Sequence, residues 1–111
     1  MLLSLQKFEP VQSVEDLPDL IFIHGTGSAG EMWQGQVRFF TNRGYRCFVV
    51  DLRGHGSSEE PQEHTDLDVH ISDVLETLEN SDIKFPAAFV GHSLGAIISV
   101  TLAEQRPELF A

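Results

Sequence analysis

The chain has 111 residues with a single cysteine, and 17 acidic against 7 basic side chains give a formal net charge of −10. That length suits one small domain, expected over 1–111 with its core in 20–106, and 41% hydrophobic residues suffice to pack it. Charge of this sign repels a phosphate backbone and the cations are scattered, so nucleic acid and anionic membranes are excluded as partners. Cys47 can form no internal disulfide, and the N-terminus lacks the basic start and long apolar stretch of a secretory signal. No apolar run approaches the roughly 18 residues of a membrane span. The expected location is cytoplasmic.

Along the chain, the first residues alternate weakly at Leu3, Leu5 and Lys7, compatible with an extra edge strand, and the stretch around Pro18 reads as a loop. Three apolar runs then each lead into a glycine-containing turn: Leu20 to Ile23, Tyr45 to Val50 and Ala87 to Val90. These are predicted buried strands. Between the first two, Met32, Trp33, Val37, Phe39 and Phe40 form a mostly apolar helical stripe that Gly44 stops. Between the second and third, Leu67, Ile71, Val74, Leu75 and Leu78 fall at helical spacing, with Thr65 and Asp68 resembling a capping box. A third helix runs from Leu94 to Glu104, with Leu94, Ile97, Ile98 and Leu102 at helical spacing and Pro107 just beyond. Strands that are apolar along their length and separated by helices imply an α/β fold: three layers, a mainly parallel sheet and helices on both faces. Nine of the acidic residues lie between Glu59 and Asp82, where no Lys or Arg occurs, and read as a solvated loop and helix face.

Two fingerprints compete at the strand ends. Gly25, Gly27 and Gly30 satisfy G-x-G-x-x-G after the first strand, and Asp51 ends the next, where an acidic group would bond a ribose hydroxyl. Alone, this would indicate a dinucleotide-binding oxidoreductase. The third strand, however, runs into Gly91-His92-Ser93-Leu94-Gly95 and then a helix. A serine at such a turn has a strained backbone, so small residues are needed two positions to either side, and its hydroxyl stands exposed at the sheet edge. The new helix offers the Leu94 N–H and the positive end of its dipole to an oxyanion.

With these residues in place, the chain from Leu20 onward resembles the α/β-hydrolase family. His24-Gly25-Thr26-Gly27 looks like the family's oxyanion loop, Asp51 to Ser58 like its loop after the next strand, and Gly91 to Gly95 like its nucleophile elbow. The resemblance implies that Ser93 is the nucleophile and that the N–H groups of Thr26 and Leu94 form the oxyanion hole, with His24, Gly25, Gly27, Gly91, His92 and Gly95 supporting the turns. It further implies acyl transfer from a small ester-like substrate to water, with no metal and no organic cofactor.

A serine hydroxyl needs a base, and the base an orienting acid. In the family these follow the nucleophile in chain order, acid then His. After Ser93 the sequence contains Glu104 and Glu108 but neither His nor Asp. The expectation is therefore the N-terminal part of a longer hydrolase, an incomplete fold whose third strand leaves a free edge prone to self-association. A non-catalytic binding module built on the same sheet is the alternative. Among the histidines, His55 is the most plausible substitute base, His24 reads as structural, His92 as packed away from the oxyanion hole, and His64 and His70 as surface groups. No two of them have the i, i+4 spacing of a zinc pair. Cys47 and Trp33 read as packing residues, and Asp51 and Arg53 as organisers of their loop.

Overall fold

The computed structural model describes residues 1–60 and 64–111. Four strands, β1 (Ser4–Phe8), β2 (Leu20–Ile23), β3 (Cys47–Asp51) and β4 (Ala88–Gly91), form one sheet in the order β1-β3-β2-β4. The parallel core is β3-β2-β4, with Leu20 opposite Cys47 on one side and Ala88 on the other. The weak alternation near the N-terminus becomes a real strand: β1 runs antiparallel along β3, from Ser4 beside Asp51 to Phe8 beside Cys47. The expected sheet of three strands thus has four among the described residues, and it is mixed.

Side chains alternate across a strand, and here the alternation sorts the core into two faces. Ile21, Ile23, Phe48 and Val50 point to one face, where Ile71, Val74 and Leu78 of α2 (Leu67–Glu79) and Ile98 and Leu102 of α3 (Leu94–Gln105) cover them. Leu20, Phe22, Cys47 and Val49 point to the other, covered by Trp33 and by Val37 of α1 (Gln34–Thr41). The helices therefore lie on both faces, as the run of elements predicts. Trp33 is a packing residue, its ring 5.3 Å from that of Phe22.

Several local expectations are corrected. The first helix opens with a 3-10 turn at Gly30–Trp33. Two residues of its apolar stripe, Met32 and Phe39, are exposed. The Arg43 guanidinium lies over the Phe39 ring and shields it. At the start of α2 the cap is Asp66, whose carboxylate accepts from the Val69 N–H at 3.0 Å, and not Thr65. Leu67 and Ile97 project into solvent from their helices. β4 is half-buried: among the described residues the outer edge carries no further strand, only an isolated parallel bridge between Ala87, just before β4, and Phe110.

The acidic stretch is not wholly a solvated face. Asp73 is buried against Arg53, and Asp82 binds Lys7 at 2.7 Å and Arg46 at 3.2 Å, drawing α2 and its following turn onto the sheet. Glu63, another of the nine acidic residues, lies outside the described residues. Among the described residues no helix is long and apolar enough to cross a membrane.

Candidate active site

All three glycine-bearing turns lie at the C-terminal edge of the parallel strands, the end where open α/β sheets present their reacting groups. The turn between β4 and α3 is sharp. Ser93 sits at φ 56 and ψ −117, a region a side-chain-bearing residue occupies only under strain. Its neighbours explain how the chain tolerates this. A Cβ at Gly91 would come within 2.5 Å of the Gly95 carbonyl oxygen, and one at Gly95 within 2.0 Å of the Ile23 carbonyl oxygen. Both positions exclude any side chain. The turn is tied to β2 by the His92 N–H, which donates to Ile23 O at 3.1 Å.

Ser93 is exposed, and Leu94 begins α3, so its N–H is one of the helix's unpaired first donors. Across from it lies the loop after β2. A Cβ at Gly25 would sit 2.9 Å from Ser93 Cβ, so only glycine lets the loop approach the serine this closely. Neither the Thr26 nor the Leu94 N–H has an acceptor among the described residues. The structure thus brings Ser93, Thr26 and Leu94 to one patch of the sheet edge.

His24 is fully buried behind this loop. Its Nε2 accepts the Leu52 N–H at 3.0 Å, which leaves the ring proton on Nδ1 to donate to Gly25 O at 2.7 Å. Burial keeps its pKa below the ordinary histidine value, so it stays neutral. His55 has the same pattern of hydrogen bonds: Nε2 accepts the Gly27 N–H at 2.9 Å, and Nδ1 donates to Arg53 O at 2.8 Å. With both nitrogens engaged, His55 is not placed as a spare base. His92 is exposed and lies outside the core, its Nδ1 3.4 Å from where a Gly25 Cβ would stand, so its ring borders the loop beside Ser93.

Asp51 explains the first fingerprint differently from a nucleotide. One carboxylate oxygen accepts the Gly30 N–H at 2.7 Å and the other the Ser57 N–H at 3.0 Å. Both acceptors are spent inside the protein. A Cβ at Gly30 would strike the Val49 side chain at 2.4 Å, so this glycine is required for packing alone. The dinucleotide reading is overturned.

Sequence reasoning missed one partnership entirely. Arg53, in the loop after β3, grips Asp73 of α2 through Nε and through Nη2, the latter at 2.8 Å, with side-chain exposures of 7% and 2%. Burial opposes ionisation of Asp73, but the guanidinium and the N-terminal ammonium override it and hold the carboxyl below its usual range. The partners lie 20 residues apart in sequence, so no local spacing could have paired them. Cys47 is inert: burial pushes its thiol up to about 11. Among the described residues no group of three His, Cys, Asp or Glu is arranged to hold a metal ion.

A mainly parallel sheet with helices on both faces, a strained serine at a strand-to-helix turn and an abutting glycine loop define the α/β-hydrolase architecture. The chain belongs to the alpha/beta hydrolase family, whose model matches residues 20–110. It is 35% identical over 81 residues to a non-heme chloroperoxidase of Burkholderia pyrrocinia, covering 73% of this chain and 29% of that protein. It is 33% identical over 96 residues to strigolactone esterase RMS3 of Pisum sativum, covering 83% and 35% respectively. The crystal structure of a hydrolase from Pseudomonas aeruginosa superposes with a TM-score of 0.81 at 30% identity, over 97% of this chain and 38% of that one. The chain therefore spans about a third of the length of the relatives it matches.

Proposed function

We propose that residues 1–111 carry the nucleophile and oxyanion hole of a serine hydrolase acting on small ester-like substrates. Ser93 Oγ attacks the carbonyl carbon and its proton passes to a base, while the carbonyl oxygen takes the negative charge and rests on the N–H groups of Thr26 and Leu94. Collapse of this intermediate breaks the bond to the alcohol, which leaves with the proton and leaves the acyl group on Ser93. Water then attacks, giving up a proton to the same base, and Ser93 regains its hydrogen as the acid departs. Neither His24 nor His55 is free to act as that base, since both ring nitrogens of each are in bonds to the backbone.

The observation that supports this reading most directly is the backbone of Ser93, held at φ 56 and ψ −117 between two glycines that admit no side chain. Strain of this kind persists only where the surroundings enforce it. The test is reaction of the polypeptide, as the cell makes it, with a serine-directed fluorophosphonate, followed by peptide mapping. Covalent label on Ser93, absent from Ser93→Ala, is the expected result. A protein that stays unlabelled at Ser93 is a binding module and not a hydrolase. The chloroperoxidase relative favours a second use of the same nucleophile, in which hydrogen peroxide in place of water takes the acyl group from Ser93 as a peracid that then oxidises halide, and a halogenation assay with added carboxylic acid, peroxide and bromide measures this.

A further inference from the structure

The Thr26 N–H can serve an oxyanion only if its own peptide plane is oriented and the turn that carries it is held, and two adjacent peptide planes are involved. The first joins Gly25 to Thr26. In a trans peptide the N–H points opposite to the C=O. Gly25 O is held inward by His24 Nδ1–H at 2.7 Å and by the Ser28 N–H at 3.2 Å, so the Thr26 N–H on the same plane faces the other way. The second plane joins Thr26 to Gly27, and Gly27, at φ 78, has no Cβ to limit its rotation and nothing within 4 Å of where one would be. Sterics leave this plane loose. Its N–H is held instead by His55 Nε2 at 2.9 Å.

We infer that His55 is a positioning residue, which fixes the Thr26–Gly27 peptide, the central plane of the Gly25–Ser28 turn, and thereby keeps that turn, with the Thr26 N–H it carries, in place beside Ser93. His55 is itself fixed: Nδ1 donates to Arg53 O at 2.8 Å, its ring lies 5.1 Å from that of His24, and Arg53 is gripped by Asp73 on α2. A buried ion pair on a helix is thus transmitted through one imidazole to the loop opposite the nucleophile. The inference deepens the hydrolase reading and rests on it for the role of Thr26. The bond to Gly27 stands apart from that reading.

His55→Phe keeps a ring against His24 and removes both nitrogen bonds, His55→Gln returns an acceptor toward Gly27, and His55→Asn is too short to reach it. In amide hydrogen exchange followed by NMR, the Gly27 N–H is expected to exchange about tenfold faster in the Phe and Asn variants, the loss of one hydrogen bond. Amides of β2 and β3 should stay protected, and Gln should restore Gly27. Fluorophosphonate labelling of Ser93 should slow by about tenfold in the Phe variant and recover in the Gln variant, as expected when an oxyanion donor loses its aim. Unchanged Gly27 exchange in a folded Phe or Asn variant overturns the tether. Faster exchange with unchanged labelling overturns the positioning role. If the unaltered protein is not labelled, the hydrolase reading fails while Gly27 exchange still decides the tether.

Discussion

The two halves of the site hold their backbones by opposite means. The turn at Gly91–Gly95 is held by sterics: its glycines leave no room for another residue, and Ser93 is forced into a strained conformation by chain segments that touch it. The loop at His24–Gly30 is held by polar bonds: His24 donates to Gly25 O and accepts from the Leu52 N–H, while His55, from the loop after β3, and Asp51, from the end of β3, accept from the Gly27 and Gly30 N–H groups. A sterically fixed turn is rigid but brittle, because any added atom breaks it. The loop also needs its glycines where it meets Ser93 and Val49, but between them it depends on its tethers, and the His55 tether depends in turn on Arg53, which Asp73 grips.

This contrast can be broken from either side. The largest effect is expected on the tethered side. Asp73→Ala leaves the Arg53 guanidinium buried without its carboxylate and should cost about 3–5 kcal/mol in chemical denaturation. The same carboxylate has its pKa lowered in the fold, so its contribution is complete above the unfolded value of 3.8 and is lost as pH falls below it. An acid-unfolding curve in that window should therefore shift to higher pH in any variant that weakens the pair. On the steric side, Gly95→Ala places a Cβ against the Ile23 carbonyl oxygen and should lower stability by about 3 kcal/mol, read as a fall in thermal midpoint. The smallest effect has the opposite sign. Ser93→Gly relieves the strained backbone and should raise stability by about 1 kcal/mol, net of the extra freedom of the unfolded chain, while abolishing labelling. A Ser93→Gly protein less stable than its parent would mean that the turn stores no strain.

The two halves were also unequally legible. The steric half is spelled out locally: a strand, then Gly91-His92-Ser93-Leu94-Gly95, then a helix, and the structure places each element within a residue or two of its expected bounds. In the tethered half the glycines are visible but their purpose is not, because G-x-G-x-x-G is written the same way whether it cradles a phosphate or packs on Val49 and Asp51. His55 illustrates the difficulty. From its place in the chain it read as a spare base, and only its two bonds, to Gly27 and Arg53, make it part of the scaffold.

What the sequence by itself determined is the order of elements, the parallel core of the sheet and the position of the sharp Gly91–Gly95 turn. Each follows from hydrophobic period and from small residues at fixed local spacing, which act within a few residues of one another. Only the tertiary structure decided that the N-terminal segment pairs antiparallel with β3, that Asp51 serves the glycine loop and not a ribose, and that Arg53 and Asp73 meet. These depend on which strand edges and buried polar groups come together when the sheet forms, and a buried polar group must take whatever partner the fold brings to it.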